Sequence, residues 1–250
     1  MLNKKEEYKK MSIVEQSHWW YKILHKLVLD SLIQNIPSKD SKILDAGCGS
    51  GGLINYLNLC EYKIVQGFDL SDYAVSISKD KKLNVVYGDI KNIESVVSSQ
   101  HFDAIISNDT MYFLKMDEIK QFLESCAKLL NPDGIVILNI PVFESFKGIH
   151  DISVGIRKRF SRSDLNIFIN NKDFAVEKRI FWPFFLSPLI FFVRFVQRIK
   201  LIFFKPKIKS DVNLPNSLIN NFLYKITLFE VNNITYPFFG SSFFVVLKKI

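Results

Sequence analysis

Apolar residues along this chain follow two rhythms that alternate over its first 141 positions. Short, mostly apolar runs recur near 43–46, 63–68, 83–87, 102–107 and 134–140. Each has the length of a strand and lacks polar alternation, the pattern of strands buried on both faces of a parallel sheet. Helix-length segments separate them, so 42–141 predicts an open α/β core with parallel strands. Upstream, 12–34 carries Trp19, Trp20, Leu24, Leu27 and Leu32 and stops short of Pro37, predicting a helix that caps the ligand edge of the core. Downstream, 161–170 predicts a helix with Ser161 as N-cap, 174–180 a strand, and 241–248 a final strand.

The first strand runs into a glycine turn, Ile43-Leu-Asp-Ala-Gly-Cys-Gly-Ser-Gly-Gly52. Glycines here let the backbone bend sharply and approach a ligand closely, and Gly47, Cys48, Gly49 and Gly51 are candidate ligand contacts. The spacing also fits a dinucleotide fingerprint. Asp45 shifts the balance, because a carboxylate two residues before the first glycine repels pyrophosphate and can receive an amino-acid ammonium group. The second strand ends in Asp69, placed to accept hydrogen bonds from ribose hydroxyls, followed by apolar Leu70. The third ends in Gly88-Asp89-Ile90, an acid for an exocyclic amine and an apolar residue for a base face, and the fourth breaks at Ser107-Asn108-Asp109. All four sets fall at strand carboxyl ends, the ligand edge of an open parallel sheet.

In this order the residues resemble the class I S-adenosylmethionine-dependent methyltransferases. The matching elements are 43–52, Asp69, Gly88-Asp89, 102–108 and the helix–turn–strand segment 129–140. The resemblance extends to a bacterial subgroup often encoded near polysaccharide or glycolipid genes. Its signature segments are similar to His18-Trp19-Trp20-Tyr21, to His150-Asp151 with 157–161, and to 210–215, although Ile156 and Ile152 depart from it. The resemblance implies an α/β, Rossmann-like doubly wound sheet, mostly parallel with an antiparallel last strand, in three α/β/α layers. It implies one domain over 1–250, with an N-terminal cap (1–37), a cofactor-binding core (40–148) and a C-terminal part (149–250) holding a substrate-side insertion at about 183–239. S-adenosylmethionine is the implied cofactor, held by Asp45, Gly47, Cys48, Gly49, Gly51, Asp69, Leu70, Asp89, Ile90, Asn108 and Tyr21.

Charge adds a second theme. Residues 1–143 carry 16 Lys, no Arg and 18 acids, a net of −2, whereas 144–250 carry a net of +10. Such asymmetry points to an anionic partner. Within that half, 180–204 is rich in Phe but is interrupted by Pro183, Pro188 and Arg194, so it makes a poor transmembrane helix. From Pro188 onward a helix would set Arg194, Gln197 and Arg198 on one side of a broad apolar surface, as in an interfacial helix. Peripheral membrane contact through 184–209 is one expectation, with Lys205, Lys207 and Lys209 adding roughly 1 kcal/mol each toward anionic lipid. Packing over the sheet or a dimer contact is the other. Nucleic acid is not expected, since the aromatics cluster in an apolar block instead of interleaving with basic residues. Cys48, Cys60 and Cys126 have neither disulfide nor metal-ligand spacing, and the first residues lack a signal-peptide core, so a cytoplasmic protein is expected, at the inner membrane face if the membrane contact holds.

The expected chemistry is in-line methyl transfer without a metal, to a small-molecule or lipid-linked acceptor such as a saccharide hydroxyl. His150 is the first candidate for general base, with Glu144 and Asp109 beside it. Tyr21 and Lys22 could reach the cofactor carboxylate, His18 could hold the cap, and Arg157 and Arg159 could grip a substrate phosphate. The rivals are a soluble small-molecule methyltransferase, a nicotinamide oxidoreductase, and a noncatalytic protein that keeps the fold.

Overall fold

A computed structural model describes residues 5–98, 100–156, 158–204, 213–234 and 237–250. Two helices, α1 (Lys5–Val14) and α2 (Trp19–Asn35), precede β1 (Lys42–Ala46), α3 (Gly52–Leu59), β2 (Ile64–Asp69), α4 (Asp72–Asp80) and β3 (Val85–Tyr87). Then come α5 (Ile93–Val96), β4 (Phe102–Asn108), α6 (Met116–Leu129), β5 (Leu130–Pro141), α7 (Ile149–Val154), α8 (Asn166–Ile169) and β6 (Phe174–Trp182). The chain ends with α9 (Ser187–Phe204), α10 (Ser217–Asn233) and β7 (Ser242–Lys249).

Seven strands form one sheet in the order β3-β2-β1-β4-β5-β7-β6. The first five are parallel; β7 runs antiparallel between β5 and β6, with Leu138 opposite Val245 and Ile180 opposite Phe244. Successive side chains of a strand point to opposite faces, so each strand feeds two cores. Ile43, Ile106 and Ile137 pack under α2 and α3, while Leu44, Ile105 and Leu138 pack against α6 with Phe122 and Leu123. The result is the expected three-layer α/β/α sandwich, with 183–239 inserted between β6 and β7 as α9, α10 and their connections.

Two local expectations are corrected. The single helix over 12–34 is two, because the His18 Nδ1 accepts the Trp20 N–H as an N-cap and the Asn220 side chain takes the Trp19 N–H, 201 residues away in sequence. Over 161–170, only Asn166–Ile169 is helical; Ser161 instead closes a turn with Asp164. In α9 the polar side faces α7, where the Gln197 carbonyl oxygen accepts the Ile149 N–H and the Arg194 guanidinium at 3.1 and 2.9 Å. Among the described residues no helix is long and apolar enough to cross a membrane. Arg157, Lys205, Lys207 and Lys209 lie outside the described residues.

Candidate functional site

The carboxyl ends of β1, β2 and β4 open into one cavity of about 570 Å³, walled further by α1, α2, α7, α9 and α10. Of the residues expected there, Asp45, Gly47, Cys48, Gly49, Asp69, Asn108, Tyr21 and His150 line it.

Asp45, the third residue of β1, is 3 % exposed, and among the described residues no donor reaches its carboxylate. Burial, reinforced by the Asp69 and Glu15 charges, pushes its pKa up to about 8. Asp69 at the end of β2 is better held: Oδ1 accepts the Ser71 N–H (2.9 Å) and the Tyr8 hydroxyl (3.2 Å), and Oδ2 accepts the Gly49 N–H (2.9 Å). Burial raises its pKa against these bonds.

The glycine turn spends its donors internally. The Gly47 and Cys48 N–H groups both donate to the Phe68 carbonyl, and Gly51 to that of Cys48. With Gly49 committed to Asp69, none of these four amides is left for a phosphate. Gly49 has φ +54°, and a Cβ there would fall 2.6 Å from the Met11 methyl. Thus α1, not the predicted 12–34 helix, lies directly on the turn. Glu15, just past α1, accepts the Ser50 hydroxyl and the Lys81 ammonium, all at 3.0 Å.

At the end of β4 the Asn108 Oδ1 is buried without a partner among the described residues. Next to it Asp109 takes a left-handed backbone, φ +52°, uncommon for a side-chain-bearing residue. Both its oxygens sit 3.1 Å from the Asn139 Nδ2. Burial, opposed by that bond and by Arg159, brings its pKa to about 7. Asn139 is itself oriented by the Trp182 indole N–H at 2.9 Å, and Trp182 stacks on Trp20 with centroids 5.3 Å apart. Tyr21 lies between the two acid groups: burial first, then Glu15, Asp109 and Glu7, raise its pKa. His18 also lines the wall, its pKa lowered to about 4 by burial and by neighbouring His150, so it is neutral at physiological pH.

Several expected residues are elsewhere. Gly51 starts α3 behind the turn, against Leu83 and Ser78. Leu70, Asp89 and Ile90 lie outside the lining; β3 ends at Tyr87 and the Asp89 carboxylate turns back to cap a single-turn helix through the Lys91 N–H. Asp151 is no partner of His150, for it binds the Arg159 Nε at 2.6 Å and the Gly148 N–H at 3.0 Å. Arg159 does line the cavity, but it also donates Nη1 to the Val142 and Ser241 carbonyls, so its fork ties together the ends of β5, α7 and β7. Glu144 is outside the cavity, accepting the Arg159 N–H and pairing with Lys147. The Lys22 ammonium sits over the Tyr224 ring at 4.1 Å. The Ser71 hydroxyl caps α4 by accepting the Ala74 N–H.

Sequence reasoning missed Tyr8, Glu15, Asn139 and Trp182. One signal was available: Asn139 interrupts an otherwise apolar buried strand, and a buried polar side chain needs partners. Past Asp109 and His150 the wall combines apolar Val154, Ile156, Ile190, Val193 and Leu223 with the side chains of Arg159 and Arg194. Among the described residues no group of His, Cys, Asp or Glu could hold a metal ion, and the three cysteines are free.

Residues 44–138 match the family described as a methyltransferase domain. Over 143 residues the chain is 28 % identical to the ubiquinone biosynthesis O-methyltransferase of Coxiella burnetii, a match covering 52 % of this chain and 59 % of that relative. The structure is similar to a SAM-dependent methyltransferase from Archaeoglobus fulgidus, with TM-score 0.56, 18 % identity, and coverage of 90 % of this chain and 94 % of the other. It is also similar to the magnesium protoporphyrin IX methyltransferase of Synechocystis PCC 6803 with bound SAH, with TM-score 0.50, 17 % identity, and coverage of 64 % and 75 %.

Proposed function

We propose that the protein is an S-adenosylmethionine-dependent methyltransferase whose acceptor has an apolar body, and that Asp109 receives the acceptor's proton. The methyltransferase-domain match over 44–138 supports the class. The observation that carries the cofactor is the pairing of Asp45, a buried carboxylate without a protein donor, with Asp69 in one cavity. A cationic ligand restores the charged form that burial disfavours. A pyrophosphate would meet Asp45, Asp69 and Glu15 and find the turn amides already committed, which counts against a nicotinamide cofactor.

Asp69 would hold the ribose hydroxyls, Asp45 and Tyr21 the amino-acid end, and the orphan Asn108 Oδ1 an amino group of the base. When bound, the cofactor supplies an activated methyl group on a sulfonium sulfur. The chain's own contribution is alignment, exclusion of water by α1 and α2, and a proton acceptor. Asp109 suits that last role because its carboxylate is fixed by Asn139 and its pKa, about 7, matches the working range of a general base. The apolar wall beyond it suits the lipid-linked acceptor expected from the sequence, and the Coxiella relative, named for ubiquinone biosynthesis, is in keeping with that.

The test is transfer of labelled methyl from S-adenosylmethionine into a lipid extract, alongside calorimetric titration with S-adenosylmethionine and NAD. Transfer is expected to need S-adenosylmethionine, and kcat to rise with pH through about 7 as Asp109 ionises. Asp109→Asn should lower kcat by about 10²–10⁴-fold with cofactor affinity kept, and His150→Gln should cost less. Tight NAD binding with no affinity for S-adenosylmethionine overturns the assignment.

A further inference from the structure

Helices α9 and α10 carry large apolar side chains on their outward faces. In α10 the most buried side chains are polar, Asn220 holding the start of α2, Thr227 bonding back to its own helix and Glu230 accepting the Phe184 and Phe185 N–H groups, while Tyr224, Leu228 and Val231 beside them pack against the core. The outward residues are Leu218 (79 % exposed), Phe222 (61 %) and Phe229 (60 %). In α9 Arg194 and Gln197 turn in toward α7, while Phe192 (63 %), Phe195 and Phe203 (72 %) face outward. A helix packed for water does the reverse, and exposed apolar surface on this scale marks an interaction site.

Charge selects the occupant. Residues 181–250 contain nine Lys or Arg against two acids, Asp211 and Glu230, and Glu230 is buried. Lys200 on α9 and Lys225 on α10 are exposed beside the aromatic stripes. A second copy of the chain would bring the same positive charge to the contact, whereas anionic headgroups complement it. Neither helix can cross a bilayer. Both border the cavity, α9 through Ile190 and Val193 and α10 through Leu223.

We propose that α9 and α10 form a docking surface for an anionic membrane, their phenylalanines entering the headgroup–acyl boundary and their lysines meeting lipid phosphate. Docked this way, the chain presents the apolar end of its cavity to the lipid phase, and the acceptor enters from the bilayer. The docking surface stands on these helices alone; entry of an acceptor rests on the methyltransferase reading.

Flotation with vesicles of phosphatidylcholine, with and without phosphatidylglycerol, tests it. The wild-type chain should float with the anionic vesicles and release as salt rises. Phe192→Ser with Phe222→Ser should weaken binding at least about tenfold, and Lys200→Glu with Lys225→Glu by roughly fivefold or more. All four side chains are outside the core, so circular dichroism melts should match wild type. A wild-type chain that never floats, or floats equally on phosphatidylcholine alone, overturns the proposal. So does a solution dimer that does not float and that the double Phe variant dissolves, since a second copy would then own the surface. Flotation needs no S-adenosylmethionine, so failure of docking and failure of methyl transfer are read separately.

Discussion

Asp45 and Asp109 keep protons in the folded state that they release when the chain unfolds. With folded pKa values of about 8 and about 7, against roughly 4 for an exposed carboxyl, the native form binds more protons between pH 4 and 8. The unfolding free energy therefore falls as pH rises through that window. Asp45→Asn should raise stability at pH 8 by about 0.5–2 kcal/mol, with little gain at pH 4, while weakening S-adenosylmethionine at least tenfold. Calorimetric melts at the two pH values check the first part and titration the second; equal melts at both pH values would show that Asp45 is not held protonated. A second prediction concerns the chain of contacts behind Asp109. Trp182→Phe removes the indole N–H that orients Asn139, and Asn139 donation favours the ionised carboxylate. The rising limb of the kcat profile should then move to higher pH, and an unmoved limb would leave Trp182 a packing residue only. Asp45, Asp69 and Asn108 were legible because they sit at strand ends, where local pattern fixes position. The Asn139–Trp182 pair spans 43 residues of sequence and was not.

Helix α1 is the element whose role the hydrophobic pattern concealed. Its buried residues are few, Glu7, Tyr8 and Val14, and its grip on the glycine turn is largely polar, through Tyr8 to Asp69, with Glu15 just beyond it reaching Ser50 and Lys81. An element held by few apolar contacts opens at lower cost than the sheet core, which suits a cover that must admit a ligand. Glu15→Gln removes the charge facing Lys81, and hydrogen exchange over 5–14 should quicken roughly tenfold or more while β1 and β4 amides keep their protection. Faster cofactor release should accompany it. Equal exchange in wild type and variant would mean that Lys81 does not secure the cover. The strands, by contrast, were readable to within a few residues, because continuous Val, Ile and Leu runs can be satisfied only by burial on both faces.

At the scale of the whole molecule, ligand binding and folding are one equilibrium. S-adenosylmethionine at one hundred times its dissociation constant should add about 2.7 kcal/mol to the unfolding free energy, or roughly 5–10 °C in Tm for a chain of this size. NAD at the same concentration should add nothing, and a thermal shift series with both ligands separates the two. Charge divides along the same lines as function: the near-neutral part through residue 143 contains the acid-rich strand edge, and the basic part contains the outward-facing helices.

The sequence by itself determined the alternating α/β order and the placing of Asp45, Asp69 and Asp109 at the strand ends that open into the cavity. Those follow from short-range rules: apolar period, glycine turns and the geometry of parallel connections. Only the tertiary structure decided which groups meet across the chain. Arg159 met Asp151, α1 came to lie on the glycine turn, and α9 turned Gln197 toward α7 while α10 buried Asn220, Thr227 and Glu230. The physical reason is that a buried polar side chain takes its partner from whatever packing brings within hydrogen-bond reach, and local periodicity carries no record of that.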